Sequence, residues 1–137
     1  MDEKTTRNRL AGLLVLVVED DKFIADLLRK RLENEGMQVI YADTGEQALS
    51  TLGGQTPSLF IIDILLPSSD GFALLKEIRK IERLKTTPVI LLSNLQSADV
   101  SKKIKASANT TMLLKSNFNL DEIVGEIEKI VSKQSRA

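Results

Sequence analysis

Short apolar runs alternate with helical stripes along this chain, and the alternation predicts five strand-helix units. Leu13-Leu14-Val15-Leu16-Val17-Val18 is apolar at every position, which suits a strand covered on both faces. Behind it, Ile24, Leu27, Leu28 and Leu32 fall on one helical stripe that stops at Gly36, a left-handed cap position. A shorter strand follows over Gln38–Ala42. Thr44, Gly45, Glu46 and Gln47 then have the form of a capping box, opening a helix that carries Ala48, Leu49 and Leu52 to a stop at Gly53-Gly54.

The third strand is Leu59-Phe60-Ile61-Ile62, running straight into Asp63. Asp70 is placed to cap a helix with Leu74, Leu75, Ile78 and Ile81 inward. A fourth strand spans 88–92, with Pro88 at its first position, where a missing amide is tolerated. A weaker helix is expected over 97–108, with Val100 and Ile104 as its clear apolar pair. Residues 111–114 form the fifth strand. Asn119 and Glu122 match a capping pair for the last helix, whose stripe is Leu120, Ile123, Val124, Ile127, Ile130 and Val131. Five such units predict an α/β fold with right-handed crossovers. It is a doubly wound, five-stranded parallel sheet in the flavodoxin-like order 2-1-3-4-5, with helices on both faces.

With 137 residues, 42 % apolar and 28 % charged, the chain has the size and composition of one globular domain. The expected layout is a flexible tail over 1–11, one domain over 12–133 and a short tail over 134–137. Lys+Arg and Asp+Glu both count 19, so overall charge gives no argument for nucleic acid or an anionic membrane. No apolar stretch reaches the length of a membrane span, and the first residues carry no signal-peptide core. The cytoplasm is the expected location. There is no Cys, hence no disulfide or thiolate metal site. There is no His either, which removes the usual general base and transition-metal ligand.

The chemistry gathers at the strand ends. Strand one is followed by Glu19, Asp20 and Asp21, strand three by Asp63, strand four by Ser93 and strand five by Lys115. In a parallel sheet these ends share the carboxyl edge, where open α/β folds place their ligands. Each residue alone has a plain reading: an acid favouring a helix N-terminus, a turn serine, a solvated lysine. Together they are far more specific. Clustered carboxylates call for a cation, and all-oxygen ligation suits Mg²⁺. A carboxylate can also attack a phosphoryl group to form an aspartyl phosphate, a transfer helped by Mg²⁺ and a cationic side chain.

These residues resemble the receiver domain of two-component response regulators. Val17-Val18-Glu19-Asp20-Asp21 is similar to its acidic start, and Ile62-Asp63-Ile64-Leu65-Leu66-Pro67-Ser68-Ser69-Asp70-Gly71 to its phosphoacceptor segment. Pro88 through Ser93 resembles the switch strand and Leu113-Leu114-Lys115 the lysine strand. The resemblance implies Asp63 as phosphoryl acceptor. It implies Glu19, Asp20, Asp63 and the backbone carbonyl of Leu65 as Mg²⁺ ligands, and Ser93 and Lys115 as the groups that meet the phosphoryl oxygens. Asp21 reads as the first residue of the helix. The donor would be a sensor histidine kinase, a phosphotransfer protein or a small acyl phosphate. Output would pass through a downstream protein partner on the 97–131 face, or through a dimer, with no direct contact to nucleic acid or membrane.

The chain also departs from that pattern. Ser116 follows the lysine where the family often has a cis proline; a non-proline cis bond costs about 2.5–4 kcal/mol, so a trans or rebuilt loop is expected. Met112 stands at the aromatic readout position, Asn94 where a small residue is usual, and Ala108-Asn109 where Gly-Ala is usual. Met112 and Asn94, with Ser116, favour an alternative function, a receiver-like interaction module independent of phosphorylation. An aspartate-nucleophile phosphatase would want a second acid where Leu65 stands. A flavodoxin-type nucleotide site would want a Gly-rich loop after strand one.

Overall fold

Strand residues of alternating direction fill two apolar layers here, which is why the central strands are apolar throughout. The computed structural model describes residues 10–66, 70–94, 109–115 and 118–135. In order they form β1 (Leu14–Val18), α1 (Lys22–Asn34), β2 (Gln38–Ala42), α2 (Gly45–Thr51), β3 (Leu59–Asp63), α3 (Gly71–Lys80), a 3₁₀ turn (Glu82–Leu84), β4 (Val89–Ser93), β5 (Thr110–Leu114) and α4 (Leu120–Ser135). The sheet is parallel with order β2-β1-β3-β4-β5, as the alternation predicts. The helix expected over 97–108 and the Lys115-Ser116 peptide lie outside the described residues.

One layer packs Leu16, Val18, Phe60, Ile62 and Leu91 against Ala48 and Leu52 of the α2 side and Leu74, Leu75 and Ile78 of α3. The other packs Val15, Val17, Ile61, Ile90 and Leu92 against Leu28 and Leu32 of α1 and Ile123, Val124 and Ile127 of α4. β3 and β4 are buried at every residue, whereas β5, an edge strand of the described sheet, is half-buried throughout. Leu10 is fully buried in the second layer. Leu10 lies within the tail expected over 1–11, and its neighbour Ala11 is exposed. The last helix runs to Ser135, into the tail expected over 134–137.

The helix boundaries follow from caps. The Asp21 side chain accepts from the Phe23 and Ile24 amides at 3.0 and 3.3 Å, so Asp21 is the N-cap of α1 rather than its first helical residue. Thr44 caps α2 through the Gln47 amide at 3.0 Å. The returning Gln47 Oε1 accepts from the Asp43 amide instead of that of Thr44. Asn119 caps α4 by accepting from the Asp121 and Glu122 amides. α1 ends in a Schellman motif: Gly36 N–H donates to Glu33 O, Met37 N–H to Leu32 O, and Gly36 has φ +93°.

A β-carbon at 36 would also sit 3.3 Å from Ala11 Cα. Gly36→Ala is therefore expected to lower the urea midpoint, with a loss of about 1–2 kcal/mol from the left-handed backbone alone. Two arginines that the sequence pattern did not single out tie loops at the opposite edge from the acids. Arg79 donates to Leu84 O and Thr87 O at 2.8 and 2.7 Å; Arg83 donates to Leu52 O and Thr56 Oγ1. No helix among the described residues is long and apolar enough to cross a membrane.

Candidate functional site

The carboxyl edge of the sheet brings Glu19, Asp20, Asp63 and Lys115 together. Glu19 follows β1, and its amide donates to Ala42 O at 3.1 Å, so the strand ladder fixes its backbone and its side chain is fully buried. Asp63 is the last residue of β3, in register with Leu92 of β4, and is 3 % exposed. Its Oδ1 accepts from the Leu65 amide at 3.0 Å. Lys115, one residue past β5, reaches between the two acids. Its Nζ lies 2.6 Å from Asp63 Oδ2 and 2.7 Å from Glu19 Oε1.

Carboxylate oxygens of Glu19, Asp20 and Asp63 lie within 4.8 Å of one another, with Asp20 exposed and the other two buried. Burial first, then the neighbouring Asp63, pushes Glu19 from 4.5 up to about 7 against the pull of Lys115. Burial draws the Lys115 ammonium down, but the Asp63 and Glu19 carboxylates outweigh it and the net shift is upward. Fully ionised, three carboxylates face one ammonium among the described residues. Glu19 Oε1 is paired with Nζ at 2.7 Å, yet it is buried and accepts no hydrogen bond among the described residues. A divalent cation with oxygen ligands fits both facts: it offsets the excess negative charge and takes the unfilled lone pair.

Ser93 ends β4, one residue beyond the partner of Asp63 in the register, and is 2 % exposed. Leu65 lies in the loop after β3 with its side chain 57 % exposed. Met112 occupies the middle of β5 in register with Leu91, half-buried against the α2 and α3 layer. Asn94, one past Ser93, is exposed. Asn109 has φ +54°, and its side-chain amide donates to Thr86 O at 2.9 Å. An asparagine suits this left-handed turn before β5. Sequence reasoning expected the Lys115 ammonium to converge with the acids in one crevice, and the structure has it in contact with both Glu19 and Asp63.

Residues 15–128 match the family model of the response regulator receiver domain. The chain belongs to that family. Among curated relatives, it is 31 % identical over 119 residues to the transcriptional regulatory protein CpxR of Klebsiella pneumoniae subsp. pneumoniae (strain HS11286), covering 87 % of this chain and 49 % of that protein. It is 35 % identical over 105 residues to the Regulator of RpoS of Escherichia coli (strain K12), covering 76 % of this chain and 31 % of the relative. An uncharacterised 14.6 kDa protein of Leptolyngbya boryana is 40 % identical over 84 residues, which is 61 % of this chain and 64 % of that one. The receiver domain described here thus spans less than two thirds of these relatives.

Solved receiver domains agree in fold. The Francisella response regulator 1452 receiver domain superposes with a TM-score of 0.77 at 32 % identity, over 90 % of this chain and 99 % of that one. The chemotaxis response regulator CheY4 of Vibrio cholerae gives 0.78 at 27 % identity, over 88 % and 99 %. The family is regulatory, and its signalling in two-component systems depends on phosphorylation.

Proposed function

We propose that this receiver domain is a Mg²⁺-dependent phosphorylation switch with Asp63 as its acceptor. The observation that carries the reading is the Lys115 ammonium placed 2.6 Å from the Asp63 carboxylate and 2.7 Å from that of Glu19, with Asp20 completing an acidic cluster. An Asp63 carboxylate oxygen attacks the phosphorus of a phosphohistidine on a sensor kinase or phosphotransfer protein. A P–O bond forms, the P–N bond breaks, and the imidazole leaves with its electron pair. Lys115 and the Ser93 hydroxyl meet the charge of the transferred oxygens. Glu19, Asp20, Asp63 and the Leu65 carbonyl are the groups that would hold Mg²⁺, which supplies charge neutralisation for the transfer. No histidine is needed on this chain, since the nucleophile is already an anion.

Phosphorylation adds charge and acceptor oxygens beside Lys115 and Ser93, and their differential contacts bias two conformational states. The 97–131 face is the surface that reports the state to a downstream protein or a second copy. In this reading the receiver domain spans 12–133, with Leu10 packed into its second layer.

Beryllofluoride, a mimic of the phosphoryl group, tests the site directly. With Mg²⁺ present, its addition is expected to shift the amide resonances of Asp63, Leu65, Ser93 and Lys115 together. With Mg²⁺ chelated, the same titration should leave them in place. Equal responses with and without the metal would remove the cation from the account.

A further inference from the structure

We propose that Gly71 is a positioning residue for Asp63, acting through the backbone seam between the end of β3 and the first turn of α3. This rests on Asp63 being the acceptor. A β-carbon built on Gly71 falls 2.7 Å from Asp63 O and 2.8 Å from Ile64 Cα, so it meets main chain and not a side chain that could swing aside. The Gly71 amide donates to Ile64 O at 2.6 Å. Leu65 and Asp70 form an antiparallel bridge beside it, and Asp70 holds the helix start by accepting from the Ala73 amide at 2.7 Å.

Gly71 is absent from the positive-φ glycines, which are Gly12 and Gly36. Its backbone angles are therefore open to alanine, and helix propensity favours alanine by about 1 kcal/mol. What the position requires is room. The helix lies directly on the peptide that carries the acceptor, and the same seam sets the Leu65 amide that donates to Asp63 Oδ1 at 3.0 Å. A methyl group there forces the Asp63–Ile64 peptide and the first turn of α3 apart. Where β3 yields, the carboxylate shifts relative to Glu19 after β1 and Lys115 after β5, which rest on separate strands. Such a shift slows a reaction that depends on alignment by about ten- to a hundredfold.

The experiment compares Gly71→Ala with wild type and with Gly36→Ala, a glycine substitution at a left-handed turn outside the site. Labelling rates with acetyl phosphate and Mg²⁺ are measured at a temperature where circular dichroism shows all three folded, and the Leu65 amide is followed by ¹H-¹⁵N NMR. Gly71→Ala is expected to label at least tenfold slower than wild type with a displaced Leu65 resonance, while Gly36→Ala labels at the wild-type rate. Wild-type labelling in Gly71→Ala, an unmoved Leu65 resonance, or equal slowing in both variants would overturn the assignment. If wild type itself takes no label, the acceptor reading fails, and the Leu65 resonance alone decides the role of Gly71. Should Gly71→Ala not fold, Asp70→Ala loosens the same seam by removing the cap. It is then expected to displace the Leu65 resonance and slow labelling, and no change in either would equally overturn the role of Gly71.

Discussion

Asp63→Asn is expected to reduce phosphoryl uptake from acetyl phosphate to background while leaving the far-ultraviolet circular dichroism spectrum unchanged. The carboxamide is nearly isosteric with the carboxylate but lacks the anionic oxygen that attacks phosphorus, so no acyl phosphate forms. Lys115 keeps Glu19 at 2.7 Å as a charge partner, so the cluster does not lose its whole counter-charge. Quantifying label by intact-protein mass spectrometry checks this. Uptake by the Asn variant at the wild-type rate would mean that another group is the acceptor.

The second large effect concerns stability. Phe60 is fully buried at the centre of β3 and faces the layer that holds Leu16, Ile78 and Leu91. Truncation to alanine removes an aromatic ring from a close-packed layer and leaves a cavity that the flanking strands cannot close. A loss of about 3–5 kcal/mol is expected, a large share of the roughly 5–15 kcal/mol that holds a domain folded. Urea unfolding gives the number. A loss below about 1.5 kcal/mol would show that the layer relaxes around the gap, contrary to its burial.

Phe60 also shows why the fold was legible from the chain. An apolar residue at every position of 59–62 suits a strand covered on both faces, and the alternating units point to a parallel sheet in this order. Asp63 stood out because a carboxylate directly after such a strand has to point out of the carboxyl edge. The ends were less legible. Leu10 sits among charged residues, and its burial comes from a contact layer that local pattern does not encode. Strand five begins at Thr110, one residue before the expected start at 111, because the ladder from Val89 pairs with it. The bridge from Lys115 to Glu19 spans residues far apart in sequence, and only the strand order brings them together. Gly71 was visible as part of an Asp-Gly pair; its close approach to the Asp63 carbonyl was not.

Peptide mapping of the wild-type protein after acyl phosphate treatment tests the central assignment most directly. The account predicts a single phosphoryl group, on Asp63, formed with Mg²⁺ and lost when the metal is chelated before the donor is added. A phosphoryl group on any other residue, or none on Asp63 with Mg²⁺ in excess, would contradict it.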